Sequence, residues 1–212
     1  MNKRLSALPV VLLLTVASSA FAASSTDLTV TGLITPVSCT PSLANGGIVD
    51  YGKISAKDLY QNRHTRLEDK SIQLTVSCNA ASQFAIRTLD NREDTSSLPG
   101  GTQDFGLGLI NGDEKLGNYS LEFKNPVADV ALKTLWSSDE GHTWKIFPEG
   151  ELLVRSFWYA FGNTNGGVSA PAFLQQVTVD MAVYTQIAPA NTLNLTNEVR
   201  LDGSATLQIE YL

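Results

Sequence analysis

Apolar and polar residues alternate over many short stretches of this chain, with turn-forming residues between the stretches. A period of two places successive side chains on opposite faces of an extended strand, so each stretch predicts a β-strand with one buried face. The alternating apolar positions are Leu28, Val30 and Ile34; Ile72, Leu74, Val76 and Cys78; Phe84 and Ile86; Phe105, Leu107 and Leu109; Tyr119, Leu121 and Phe123; Val177, Val179, Met181 and Val183; and Ala205, Leu207, Ile209 and Tyr211.

The rest of the sequence predicts one further strand and almost no helix. Ile48–Tyr51 follows the turn residues Asn45-Gly46-Gly47 and predicts a further strand. No stretch shows the apolar spacing of a three-turn amphipathic helix. The polar stretch Ser55–Ser71 has room for one helical turn, but its composition favours an exposed connection. Many short strands separated by turns predict an all-β sandwich.

The N-terminus has the organisation of a secretory signal peptide. Lys3 and Arg4 precede an apolar run from Ala7 to Ala17, and Ala20-Phe21-Ala22 forms a small-x-small cleavage site. The apolar run is shorter than the roughly 20 residues that span a bilayer. We therefore expect a signal peptide at residues 1–22, a single exported domain at residues 23–212, and no membrane insertion.

Net charge and cysteine content reduce the number of possible functions further. The net charge is −6, and without a basic run an acidic chain is a poor ligand for nucleic acid, whose phosphates require cations. Cys39 and Cys78 form an exported pair without a C-x-x-C spacing, so we expect a structural disulfide. Two cysteines and two histidines do not easily make a four-ligand zinc site, and we expect neither a metal nor a cofactor.

Three features together resemble the pilin subunits of chaperone–usher fimbriae, in a branch classed only as a domain of unknown function. The chain is an exported β-domain, and the first residue of its Cys pair ends the stretch "LTVTGLITPVSC". Its last stretch, "DGSATLQIEYL", opens with Gly203 and has a penultimate Tyr211. The resemblance covers roughly the first sixty residues after the leader and the last forty. It does not cover the middle, residues 91–150, which we expect to be an inserted region.

The resemblance implies an immunoglobulin-like sandwich that lacks its last strand and functions by strand exchange. A periplasmic chaperone fills the open groove first, and the N-terminal extension of a neighbouring subunit replaces it at an outer-membrane usher. The donor strand would extend from Ala23 to about Thr31, with Leu28 and Val30 filling pockets. The groove and the chaperone contact would involve Ala205, Leu207, Ile209, Tyr211 and the C-terminal carboxylate of Leu212.

One departure from the family and one alternative interpretation of the pattern remain open. The residues from Ala23 to Asp27 are small or polar, and few apolar anchors precede the expected first strand of the sandwich. The subunit is therefore expected to donate weakly or to occupy a tip or base position. From the pattern alone, both terminal stretches could equally be paired strands of a complete sandwich.

The stretch "SSDEGHTW", residues 137–144, matches the Asp-box spacing S-x-D-x-G-x-T-W known from sialidases. Six propeller blades need far more residues than this chain has, so we interpret the box as a hairpin turn. Asp139 and Ser137 would bond turn backbone, and Gly141 would permit a positive φ. A sharper alternative is a loop in which Trp136 and Trp144 contact a glycan.

No constellation of catalytic residues is apparent. The acidic pairs are sequence neighbours that point to opposite faces of a strand, and no G-x-S-x-G elbow accompanies His64 or His142. We therefore expect a non-enzymatic structural subunit of a surface fimbria. The alternative is a minor or tip subunit that binds a glycan or a host surface protein.

Overall fold

The computed structural model describes residues 25–34, 36–98 and 100–212. The chain divides into two units, residues 1–35 and residues 36–212. The expected signal peptide, residues 1–22, lies outside the described residues. Among the described part of the chain, no helix is long and apolar enough to cross a membrane.

Residues 25–34 of the first unit contain no helix and no strand. The strand expected at Leu28–Ile34 is therefore wrong, because no neighbouring strand offers this stretch hydrogen-bond partners. Leu28 and Val30 are 90% and 87% exposed. The sandwich begins only at Cys39, so the whole stretch precedes its first strand and remains an extension.

Fourteen strands make up the described part of the second unit. The first seven are β1 (Cys39–Leu43), β2 (Thr65–Arg66), β3 (Lys70–Ser82), β4 (Phe84–Asp90), β5 (Phe105–Gly106), β6 (Leu109–Ile110) and β7 (Glu114–Lys115). The others are β8 (Gly117–Val127), β9 (Lys133–Ser137), β10 (Lys145–Ile146), β11 (Trp158–Asn165), β12 (Val168–Pro171), β13 (Leu174–Ile187) and β14 (Ala205–Tyr211). Three 3-10 turns cover Ala44–Gly47, Ala56–Asp58 and Ala190–Thr192.

These strands form two antiparallel sheets and a small hairpin. Sheet one has the order β1-β3-β13-β8-β5, with β2 also paired to β13. Sheet two has the order β10-β9-β11-β4-β14, with β12 also paired to β11. The strands β6 and β7 pair only with each other among the described residues. The expected all-β sandwich is confirmed.

The core lies between the two sheets and follows from the alternation in the sequence. In sheet one, Val76 on β3 pairs with Val177 on β13, and both are almost fully buried. Phe123 on β8 meets Tyr159 and Phe161 of β11 across the interior, with ring centroids 5.9 Å apart in each pair. Because each strand buries every second side chain, the two inner faces share one apolar cluster.

The expected inserted middle region is part of the sandwich. Residues 91–150 supply β8, which lies beside β13 in sheet one, and β9, which lies beside β11 in sheet two. The single strand expected around Phe105–Leu109 is interrupted at Gly108, whose φ is +84°. Ile48–Tyr51 is not a strand either, because among the described strands none pairs with it.

The expected disulfide is confirmed between Cys39 and Cys78. The two residues are register partners on β1 and β3, so the bond fixes the start of β1 to its only described neighbour. This attachment matters because β1 has just five residues and lies at the edge of its sheet.

Replacing both cysteines by alanine should lower the free energy of unfolding by about 4 kcal/mol, since a loop with this separation of 39 residues is then unrestrained in the unfolded chain. Urea denaturation of the mature chain measures the loss. Reducing the native protein should reproduce it, whereas the variant should not respond to reductant. Equal midpoints for the native protein and the variant would contradict a structural role for the bond.

Candidate functional site

The last strand, β14, lies at an edge of sheet two and pairs only with β4 in the described part of the chain. Ala205, Leu207 and Ile209 are half-buried and contact the core cluster. The intervening Thr206 and Gln208 are exposed. Three of the five residues assigned to the groove from the sequence, Ala205, Leu207 and Ile209, therefore share the inner face of β14, whereas Tyr211 is exposed and Leu212 follows the strand.

Backbone hydrogen bonds show which groups of β14 are free. The amide of Asn91 donates to the Ser204 carbonyl at 3.0 Å, and the Leu212 amide donates to the Gln83 carbonyl at 3.3 Å. In an antiparallel pair, hydrogen-bonded residues alternate. The even-numbered residues therefore turn their backbone groups toward β4, and the odd-numbered ones turn theirs to the open side.

The first strand, β1, forms a matching edge in sheet one. The Asn79 amide donates to the Ser38 carbonyl at 3.0 Å, which turns the backbone of Cys39, Pro41 and Leu43 away from β3. Pro41 has no amide proton and is tolerated on such an edge. Leu43 belongs to the site but was missed from the sequence, although the proline in "CTPSL" could have indicated an edge strand.

An apolar groove lies between these two edges. One cavity of about 250 Å³ has core side chains of both sheets in its wall, and its neighbour of about 350 Å³ reaches the outer part of β1. Residues shared by both cavities are Leu43, Gly47, Ala205 and Leu207. No charged residue among those described lines the first cavity, and burial raises the pKa of its Tyr119 phenol, an effect to which the nearby Asp90 adds.

The groove continues past the beginning of β14 into a cavity of about 590 Å³. Its walls come from residues 49–54, which follow β1, and residues 195–201, which precede β14. Lys53 and Glu198 form an ion pair of 3.0 Å between these two segments. Both side chains are 90% exposed, so the pair adds little stability.

A side-chain hydrogen bond connects the two edges at the other end of the groove. The amide of Cys39, which faces the open side of β1, donates to the hydroxyl oxygen of Tyr211 at 2.6 Å. The penultimate tyrosine therefore connects the end of β14 to the start of β1. The disulfide fixes Cys39 in turn, so both edges are held at this end.

The expected Asp-box turn is confirmed. Asp139 accepts hydrogen bonds from the hydroxyls of Ser137 and Thr143, both at 2.6 Å, and from the Thr143 amide at 2.9 Å. These donors, Ser137 first, hold the pKa of Asp139 well below its usual range. Gly141 has a φ of +85°.

The two tryptophans proposed as ligand contacts pack against other residues of the protein. Trp136 stacks on Phe157 with centroids 4.9 Å apart, and the Lys145 ammonium lies 5.4 Å from the Trp136 ring. Trp144 packs next to Gly141 in the turn. Within the described ranges, no group of three metal-ligating side chains could hold a metal ion.

Comparison with known proteins shows that most of the chain is similar to two proteins of Escherichia coli (strain K12). A family model described as "Protein of unknown function (DUF1120)" matches residues 28–104, which include both cysteines. The "Uncharacterized protein YhcF" of Escherichia coli (strain K12) is 27% identical over 228 residues, covering 92% of this chain and 94% of the relative. "Protein GltF" of the same strain is 27% identical over 236 residues, covering 92% of each chain.

Gly203, which the sequence placed at the opening of the last strand, is required by close packing. A Cβ at this position would lie 2.9 Å from both Leu107 Cδ2 and Tyr119 Cε1, in the wall of the groove. We expect Gly203→Ala to lower the free energy of unfolding by about 1–3 kcal/mol because the added methyl overpacks this wall.

Thermal and urea denaturation measure the effect of Gly203→Ala. The matched control is Gly32→Ala, since a Cβ at Gly32 meets no atom within 4 Å. A Gly203→Ala variant as stable as the native protein would contradict the tight wall.

Proposed function

We propose that the protein is a structural, non-enzymatic subunit of a surface fimbria that assembles by receiving and donating a β-strand. The observation that carries this proposal is the apolar groove between two sheet edges, the outer sides of β1 and β14, with which no described strand pairs. Such edges are aggregation hazards that proteins normally cover. A strand added along β14 would supply partners for its free backbone groups and fill the groove with alternate side chains.

The same chain carries a segment of matching length and period. Of four alternating positions, three carry the apolar side chains of Leu28, Val30 and Ile34, which are at least 87% exposed, and the third position is Gly32. On β14 the free positions are likewise four, from Ala205 to Tyr211. An extended seven-residue segment spans roughly 23 Å in each case, at about 3.3 Å per residue.

The match in length and period affects how well the subunit can donate a strand. The stretch from Leu28 to Ile34 precedes the first strand, and none of the described residues 25–34 belongs to the protein's own sheets. The weak donation expected from the polar start of the extension therefore loses its main reason. We propose a subunit that both receives and donates, as a position within a fibre requires.

Assembly of this kind implies the remaining partners. A periplasmic chaperone would occupy the groove after export, with the carboxylate of Leu212 at the end of the contact, and an outer-membrane usher would exchange it for a neighbouring subunit. The final location would be the cell surface. The alternative function, a glycan-binding or receptor-binding minor subunit, has less support because the rings of Trp136 and Trp144 are packed against other residues.

A synthetic peptide with the sequence of residues 25–38 tests strand addition directly. We expect it to raise the melting temperature of the mature chain, residues 23–212, and at 100 times its Kd to stabilise the fold by about 2.7 kcal/mol. Calorimetry and differential scanning fluorimetry measure the affinity and the shift.

Matched variants on each strand distinguish pocket-filling from exposed positions. Peptides with Leu28→Asp and Val30→Asp should lose binding, whereas Thr29→Asp and Thr31→Asp should keep it, since alternate residues face opposite sides. On the acceptor, Leu207→Asp should abolish binding and Gln208→Asp should not. A stable monomer that ignores every peptide and every fimbrial chaperone would refute the proposal and favour the glycan-binding alternative.

A further inference from the structure

The Asp-box hairpin, residues 137–144, contacts the last residue of the chain. A Cβ built at Gly141 would lie 3.0 Å from Leu212 Cδ2, 3.3 Å from Trp158 Cε3 and 3.4 Å from Trp144 Cζ2. The glycine thus leaves a space in which the Leu212 side chain lies against the hairpin. This contact joins residues that are far apart in the chain and in the order of sheet two.

The end of β14 is held on two sides. Tyr211 faces the groove, where its hydroxyl accepts the Cys39 amide proton. Leu212 donates its own amide proton to the Gln83 carbonyl and packs its side chain against Gly141. Successive residues of a strand point to opposite faces, so the two contacts anchor both faces of the strand end.

We propose that the Asp-box hairpin is a positioning element of the strand-acceptor site, which holds Leu212 so that the free backbone groups of Tyr211 are fixed for pairing with an incoming strand. The inference rests on the proposed function. It assigns the hairpin a role in receiving a polypeptide partner, and it gives Gly141 and Leu212 roles that act through Tyr211.

The physical reason is preorganisation. Strand ends fray unless they are tied down, and Tyr211 is the last residue of β14. A frayed end must be ordered when a partner strand pairs with it, which lowers affinity. Anchoring Leu212 therefore strengthens binding only at the end of the groove that contains Tyr211, and leaves pairing near Ala205 unaffected.

Gly141→Ala tests the role with a closely matched control. Both Gly141 and Gly150 have a φ of +85°, so alanine would be forced into the same disfavoured φ at the two sites. At Gly150 the added Cβ meets no atom within 4 Å, whereas at Gly141 it displaces Leu212. Any excess effect of Gly141→Ala over Gly150→Ala therefore reports the contact with the strand end and its tryptophan neighbours.

The measurement is the Kd of three peptides for the native mature chain and both variants. The peptides have the sequences of residues 25–38, 30–38 and 25–33, so that each shortened peptide lacks one end. We expect Gly141→Ala to weaken the full peptide about threefold to tenfold more than Gly150→Ala does, as for one or two lost backbone hydrogen bonds. One shortened peptide, the one that no longer reaches Tyr211, should bind both variants equally.

Leu212→Ala supplies the second arm of the test. It should weaken the same two peptides that respond to Gly141→Ala, and the double variant should bind no more weakly than Leu212→Ala alone, since both changes release one contact. Equal weakening of all three peptides would show a global loss of stability and overturn the inference. Equal affinities for Gly141→Ala and Gly150→Ala with the full peptide would overturn it as well.

These outcomes are separate from a failure of the proposed function. If the native chain binds none of the peptides, strand addition itself is wrong and the hairpin has no acceptor site to position. If the native chain binds the full peptide but the variants do not differ, strand addition stands and the positioning role is refuted.

Discussion

The rest of the structure depends on the backbone groups along the outer side of β14, with which no described strand pairs. An N–H or C=O group that is shielded from water without a partner costs free energy, so an added strand would stabilise a half-buried edge. Ala205, Leu207 and Ile209 are half-buried on the inner face, and none of the described strands pairs with their outer side. The groove beside them therefore combines an apolar surface with a row of backbone groups that no described strand pairs with, and the proposed added strand would cover both.

The other structural features keep this groove open and in register. The disulfide attaches the short β1 to β3 at its first residue. Gly203 lets the chain approach Leu107 and Tyr119 closely where β14 begins. Tyr211 bonds Cys39 at the opposite end. Because each of these contacts joins residues far apart in sequence, they keep the two edges at a fixed separation without a strand between them.

Much of the fold around the groove could be predicted from the sequence, because the alternation of apolar residues and their burial have the same cause. The alternating run from Ala205 to Tyr211 coincides with β14, and those around Val76 and Val179 lie in the long central strands β3 and β13. The predicted disulfide and Asp-box turn also follow from local patterns. Leu28–Ile34 shows the limit of the method, since alternation indicates an apolar face but not whether a neighbouring strand covers it.

The remaining features depend on contacts that no local pattern encodes. Residues 48–51 alternate little and have no partner strand, and Gly108 interrupts a run that is apolar throughout. The contact between Gly141 and Leu212 joins a hairpin to the chain end, so neither stretch indicates it alone. The groove itself is a property of two edges from opposite ends of the sequence, and Leu43 joins it only through the position of β1.

Amide hydrogen exchange along β14 tests the central claim most directly. In the lone mature chain, the amides of Leu207 and Ile209 should exchange much faster than those of Thr206 and Gln208, which face β4. When a fimbrial chaperone or a donor strand binds, the amides of Leu207 and Ile209 should become protected. Slow exchange of all four amides in the lone chain, or exchange of Leu207 and Ile209 that stays fast with a partner bound, would contradict strand addition at this edge.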